Sequence, residues 1–285
     1  MDPATPSGVR ALLARFELRP RRRLSQHFLV DPRVARRVAD AVAPGPADRV
    51  LEIGPGLGAI TVPLGERAGS VVAVEKDGGL ARALAWVLRE HELYAPGGPV
   101  RVVAADVLTL SLERIAPSLV AGNLPYAITS PLLLALARSR AFARAVVMVQ
   151  KEVADRLVAP PGSGAYGSLT VAVATHARVR RLFDVSRRCF FPPPEVDSTV
   201  ISLEPHEGRP DALLGEALET VLRAAFGQRR KTLRNALATL DLAPYDAAEL
   251  LRRAGIDGGL RAEALDVPAF VRLAAALLQL RASQP

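Results

Sequence analysis

The chain has 285 residues, 49% of them apolar, and a formal net charge of +8, which supports one large or two modest self-sufficient cores and excludes a disordered basic tail. Its single cysteine, Cys189, excludes an internal disulfide and a cysteine-based zinc site, and the four histidines show no metal-ligand spacing. The first ten residues hold no signal-type apolar stretch and no apolar run reaches the roughly 18 to 20 residues that cross a bilayer, so the expectation is a cytoplasmic protein without a membrane partner.

Residues 1–37 carry nine arginines against three acids, with Arg21, Arg22 and Arg23 consecutive. Such clusters point to a polyanion, because phosphate backbones release counterions when arginine neutralises them. A helix is predicted over 32–43. From 49 to 150, β-branched runs at 49–53, 70–74, 100–104, 118–121 and 145–149 alternate with helical patterns at 60–67, 79–91, 131–139 and 151–158. This alternation predicts βαβ units, hence an α/β fold whose parallel sheet is covered on both faces. Two further strands are expected at 178–185 and 198–203, preceded by a helical stretch at 168–176. After 205–210, which holds two prolines and a glycine, every pattern is helical: 212–226, 231–240, 247–254 and 267–280. The expected domains are therefore 1–207, with a basic N-terminal arm, and an all-helical 208–285. Residues 223–234 carry five basic side chains and no acid, among them Arg229, Arg230, Lys231 and Arg234.

In LEIGPGLGAIT (51–61), Gly54, Gly56 and Gly58 stand between a strand and a helix. Glycines there let the backbone turn sharply and approach a ligand, and a helix N-terminus offers free amides to an anionic group. Glu75 ends the second strand, where an acid accepts bonds from ribose hydroxyls, and Asp106 follows the third at the same carboxyl edge. Three such features on successive strands predict an adenosine-containing cofactor. They leave a nicotinamide and a methyl donor both open, since the loop also satisfies the dinucleotide fingerprint.

Asn123-Leu124-Pro125-Tyr126 follows the fourth strand and narrows the chemistry. Proline fixes a bend, so the Asn123 side-chain oxygen and the Leu124 carbonyl can converge on one point and accept both N–H groups of an amine. Tyr126 offers an aromatic face to a base. Hydride transfer has no use for this arrangement, whereas methylation of an exocyclic amine does. In CFFPPPEVDSTV (189–200), three prolines predict a stiff loop from which Phe190 and Phe191 project over a pocket, as an enzyme acting on an extruded base requires.

Together with RLSQHFLVD (23–31), VEKD (74–77), AADV (104–107), VQKEVADRL (149–157), AYGSLTV (165–171), FGQRRKTLRNAL (226–237) and GIDGGLRAEAL (255–265), these motifs resemble the ribosomal RNA small-subunit adenine dimethyltransferases, in order from about residue 15 to 280. The resemblance implies a Rossmann-like class I methyltransferase sheet, mostly parallel and seven-stranded, with a small all-helical C-terminal RNA-binding domain. It implies an enzyme that uses S-adenosyl-L-methionine to convert two adjacent adenosines, in a hairpin loop near the 3′ end of small-subunit RNA, to N6,N6-dimethyladenosines. Carried onto this chain, His27, Leu29, Gly54, Gly56, Glu75, Asp106 and Asn123 would hold the cofactor. Asn123, Leu124, Pro125 and Tyr126 would form the target-amine site, with Phe190 as stacking aromatic. The family commonly has asparagine where this chain has His27.

Arg21, Arg22, Arg23, Arg229, Arg230, Lys231 and Arg234 are expected to grip RNA phosphates. The expected partner is small-subunit ribosomal RNA or the immature small subunit, and the expected state a monomer. The alternatives are a large-subunit adenine N6-methyltransferase of the kind conferring antibiotic resistance, or a mainly non-catalytic ribosome-assembly factor.

Overall fold

The computed structural model describes every residue except Arg22, Arg23, Ser25, Arg229, Gln284 and Pro285. In chain order its elements are α1 (Pro6–Arg15), β1 (Phe28–Leu29), α2 (Pro32–Val42), β2 (Arg49–Ile53), α3 (Thr61–Gly65), β3 (Ser70–Glu75), α4 (Gly78–Glu90), β4 (Val100–Ala104), α5 (Leu112–Ile115), β5 (Leu119–Asn123), α6 (Thr129–Arg138), β6 (Arg144–Gln150) and α7 (Lys151–Leu157). There follow α8 (Ser168–Ala174), β7 (Ala177–Val185), β8 (Phe190–Phe191), β9 (Ser198–Pro205), α9 (Ala212–Gly227), α10 (Leu233–Leu237), α11 (Ala247–Ala254) and α12 (Val267–Ala282).

Seven strands form one sheet in the order β4-β3-β2-β5-β6-β9-β7. The pairings of β4, β3, β2, β5 and β6 are parallel, and β9 runs antiparallel to β6. The sheet is therefore mostly parallel, as expected. Its central strands are mostly apolar because helices cover both faces, with Glu52 of β2 a buried exception. Ala145 to Val149 of β6 are each at most 1% exposed, and each large side chain so buried contributes roughly 1.5–3 kcal/mol. Helix α2 shows how the sequence sets one covering element. Asp31 caps its N-terminus by accepting from Arg33 and Val34 N–H, Pro32 supplies a preset φ, and Ala35, Val38, Ala39 and Val42 form the buried stripe. Ala43, in the left-handed region at φ 46°, ends it.

Gly122 of β5 lies opposite Ile53 of β2, and a Cβ there would collide with the Ile53 carbonyl. Only glycine permits this close approach, which sets Asn123 beside the loop after β2.

The chain divides into two compact units, Met1–Ala154 with Arg180–Glu204, and Asp155–Val179 with Pro205–Pro285. The boundary expected near 208 lies at 204/205, and residues 155–179, expected in the first domain, belong to the helical unit. Their side chains explain this: Tyr166 packs on Phe226 with ring centroids 6.3 Å apart, Phe226 stacks on Phe270 at 5.4 Å, and Gly162 N–H donates to the Glu263 carbonyl. The helical unit thus builds its own core, with Phe270, Leu273 and Leu277 fully buried. Among the described residues no helix is long and apolar enough to cross a membrane.

Two features depart from the sequence expectation. Residues 6–15, read only for their charge, form α1, capped by Thr5 and burying Val9, Leu12 and Leu13. Phe28 and Leu29 pair antiparallel with Phe191 and Phe190 as a two-stranded sheet, joining segments far apart in the sequence.

Candidate active site

The carboxyl ends of β2, β3, β4 and β5 open onto a cavity of about 190 Å³, at the edge where ligands bind in open α/β sheets. Its wall brings together His27, Gly54, Gly56, Glu75, Asp106, Asn123, Leu124, Pro125 and Tyr126. Leu24, Gln26, Lys76, Val107 and Ile128 also line it.

Gly54 follows β2 at φ +67°, and a Cβ there would stand 3.4 Å from the Asn123 carbonyl, so the loop lies flat against β5. Glu75 is 7% exposed. Its Oε2 accepts from Gly56 N–H at 3.1 Å and its Oε1 from Asp77 N–H at 2.9 Å, which fixes the carboxylate across the loop. Burial pushes the Glu75 carboxyl up, and these two N–H groups draw it part of the way back.

Asp106 Oδ1 accepts from Leu108 N–H, and Lys76 Nζ donates to Oδ2 at 2.7 Å. That bond, the Leu108 N–H and the ammonium charge hold the Asp106 carboxyl below the usual range, so it is an anion at the cavity wall.

At Asn123 a carbonyl decides the orientation. Asn123 Nδ2 donates to the His27 carbonyl at 3.1 Å, and because that oxygen can only accept, the amide cannot be reversed. Asn123 Oδ1 is consequently turned away, buried and without a partner. His27 Nδ1 lies 2.7 Å from the Pro192 carbonyl, which again only accepts, so Nδ1 carries the proton and donates. The His27 ring stacks on Tyr126 with centroids 5.6 Å apart and planes 28° from parallel. The Tyr126 hydroxyl is 2.9 Å from the hydroxyl of Ser198, which is fully buried at the start of β9. Burial pushes the Tyr126 phenol up, so it stays neutral. Leu124 N–H donates to the Met148 carbonyl, tying the tetrapeptide to β6.

Three expected site residues fall elsewhere. Phe190 is 3% exposed and packs in the hydrophobic core under β1, so its ring supports the two-stranded sheet and is not presented to a base. Leu29, also 3% exposed, lines a smaller cavity of about 40 Å³ behind the glycine loop, with Glu52, Gly54, Gly56 and Asn123. Arg21 pairs with Asp77, Nη1 to Oδ2 3.1 Å. Arg22, Arg23 and Arg229 lie outside the described residues, whereas Arg230, Lys231 and Arg234 are exposed on the helical unit.

Missed from the sequence were Gln26, Lys76 and Ser198 beside the cavity, and Glu52. Gln26, Lys76 and Ser198 each stand within or next to a motif already singled out, and that proximity was their only signal. Glu52 is 1% exposed, its Oε2 has no hydrogen-bond partner, and burial pushes its carboxyl up to about 8.

The cavity suits a ligand with hydroxyls facing Glu75 and an exocyclic amine facing Asp106. Asn123 Oδ1 is an acceptor left buried and without a partner, in a residue that lines the cavity beside Tyr126.

The family described as Ribosomal RNA adenine dimethylase matches residues 17–279. The chain is 42% identical over 292 residues to Ribosomal RNA small subunit methyltransferase A of Pelotomaculum thermopropionicum, covering 96% of this chain and 97% of that one. It is similar to a crystal structure of a dimethyladenosine transferase from Plasmodium falciparum, with TM-score 0.74, 25% identity and coverage of 88% of this chain and 97% of the other. It is also similar to the 23S rRNA methyltransferase ErmE, with TM-score 0.62, 28% identity and coverage of 88% and 100%.

Proposed function

This chain belongs to the ribosomal RNA adenine dimethylase family, and from that premise we propose how its own residues carry out adenine dimethylation. It is an S-adenosylmethionine-dependent ribosomal RNA methyltransferase that dimethylates the N6 amines of two adjacent adenosines near the 3′ end of small-subunit RNA. The methyl donor supplies an activated methyl group on a sulfonium. Glu75 would accept from its ribose hydroxyls, Asp106 would accept from its adenine amine, and the loop at Gly54 would supply backbone against it.

The target adenine leaves its stack and lies against Tyr126, whose ring angle is set by Ser198 and His27. Asn123 Oδ1 and the Leu124 carbonyl accept its two N–H groups. An adenine amine is a weak nucleophile because its lone pair is conjugated with the ring. Two acceptors held in place favour a more pyramidal nitrogen and stabilise the positive charge that develops on it. The observation that carries this proposal is the buried, partnerless Asn123 Oδ1, since leaving such an acceptor unsatisfied costs about 1–3 kcal/mol unless a ligand fills it.

Arg230, Lys231 and Arg234 supply phosphate contacts from the helical unit. The physiological substrate is the immature small subunit, met by a monomer in the cytoplasm. Incubating the protein and labelled methyl donor with undermethylated small subunits, and separately with large-subunit RNA, tests this. Label is expected on two adjacent adenosines of the small-subunit RNA. Label on large-subunit RNA alone would establish the other specificity, and none on either would leave an assembly factor.

A further inference from the structure

Asp77 makes more contacts than a helix cap needs. Its side chain is 5% exposed. Oδ1 accepts from Gly79 and Leu80 N–H and caps α4. Oδ2 faces away from that helix and takes Arg21 Nη1 at 3.1 Å and Gln26 Nε2 at 3.3 Å. Gln26 Oε1 in turn accepts the backbone N–H of Arg21 at 2.8 Å, which closes a ring of three residues. Asp77 N–H itself donates to Glu75 Oε1, the carboxylate assigned above to the ribose. Leu24 N–H donates to the Arg21 carbonyl, and Leu24 and Gln26 both line the cofactor cavity.

We infer that Asp77 clasps Arg21 and Gln26 so that they hold the N-terminal wall of the cofactor cavity, and that Arg21 acts as a positioning residue governing cofactor retention, not as a grip on RNA. The inference rests on the cofactor reading proposed above. A buried carboxylate is costly without its cation, so passing Arg21 to an RNA phosphate would leave Asp77 with neutral donors only. Gln26 uses its amide in both directions, and it can do so only while residues 21 and 26 lie together against the start of α4.

The test compares the wild-type chain with Arg21→Ala, Arg21→Lys and Gln26→Ala. It measures dissociation of S-adenosylhomocysteine, KM for S-adenosylmethionine, kcat, thermal midpoint, and RNA affinity as a function of salt. Both alanine variants are expected to release the cofactor product about three- to tenfold faster and to raise KM by a similar factor. At saturating S-adenosylmethionine their kcat should stay within twofold; Gln26→Ala should keep a thermal midpoint near wild type, whereas Arg21→Ala should lower it because Asp77 loses its cation, and lysine should restore it. Lysine at 21 should restore most of the retention, and the slope of log affinity for RNA against log salt should not change.

Unaltered retention in both alanine variants overturns the inference. So does a salt slope lower by about 0.7 in Arg21→Ala with cofactor binding intact, which would make Arg21 a phosphate contact. Faster release that follows a fall in thermal midpoint and is not rescued by lysine overturns it as well, in favour of a merely structural ion pair. If the wild-type chain binds neither S-adenosylmethionine nor S-adenosylhomocysteine, the reading of the cavity falls and takes the inference with it.

Discussion

A carbonyl oxygen that can only accept fixes Asn123, and the fixed amide leaves its own oxygen unpartnered at the cavity wall. If Asn123 accepts from the target amine as proposed, replacing it by alanine removes an acceptor whose hydrogen bond strengthens as the amine becomes cationic. Its kcat should fall by about 10²- to 10³-fold, the usual effect of deleting one preorganised charge-stabilising group. RNA affinity measured by filter binding should stay within twofold; full turnover by this variant would remove Asn123 from the chemistry.

Glu52 makes a second prediction at the scale of one residue. Its folded pKa, about 8, lies above its ordinary value of 4.5, so the folded state holds the proton more tightly than the unfolded one. The stability this confers is complete below about pH 4.5 and is lost as pH rises through about 8, amounting to at most about 5 kcal/mol. Urea unfolding of the wild type and of Glu52→Gln at pH 5, 6.5 and 8 isolates this contribution. The wild type should lose stability relative to the variant across that range, and parallel curves would mean that Glu52 is ionised in the fold. Burial of this acid has no sequence signature, because one acid inside an apolar run does not say whether the face it occupies is covered. Glu75, Asp106 and Asn123 were legible for the opposite reason, since each stands where a β-branched run stops.

At the scale of elements, the parallel strands were legible because covering helices keep them rich in β-branched and other apolar residues, and their ends fell within two residues of those expected. Helix α1 was not, because its three arginine-flanked apolar positions, Val9, Leu12 and Leu13, were masked by charge. Arg10 stands over the Phe191 ring at 5.7 Å and Arg15 over the Trp86 ring at 4.4 Å, so the same arginines that suggested a polyanion also fasten the helix to aromatic faces. Leu12 is fully buried, and Leu12→Ala should cost about 2–5 kcal/mol in chemical denaturation. A cost under about 0.5 kcal/mol, the level of a surface change, would mean that α1 does not belong to the core. Phe190 was misjudged for a related reason. A proline run predicts a stiff loop but not which of two adjacent rings faces inward, and pairing of Leu29 with Phe190 turned that ring into the core.

For the whole molecule, length and composition left one large core or two modest ones open, and the chain divides into two compact units. The sequence could not assign residues 155–179, because a short helix between strands is equally apolar whichever core receives it. The charge can be assigned by experiment. Replacing Arg230, Lys231 and Arg234 with glutamine should lower the slope of log RNA affinity against log salt by up to about 2, at roughly 0.7 for each phosphate no longer neutralised. Methyl-donor affinity, read by calorimetry, should not change, and an unchanged salt slope would remove these three from the RNA interface.

The strand order also fixes a sequence of events during translation. β7 leaves the ribosome before β9, yet its place in the sheet is beside β9, on the far side from β6. The strands whose ends line the cavity, β2 to β5, are neighbours complete by residue 123 and can associate early. Tyr126 lacks its hydroxyl partner until Ser198 has been added, and His27 lacks its own until Pro192 has. A nascent chain can therefore assemble the Glu75 and Asp106 edge well before the surroundings of Tyr126, and this ribosomal RNA methyltransferase completes its cavity only after most of its own synthesis is over.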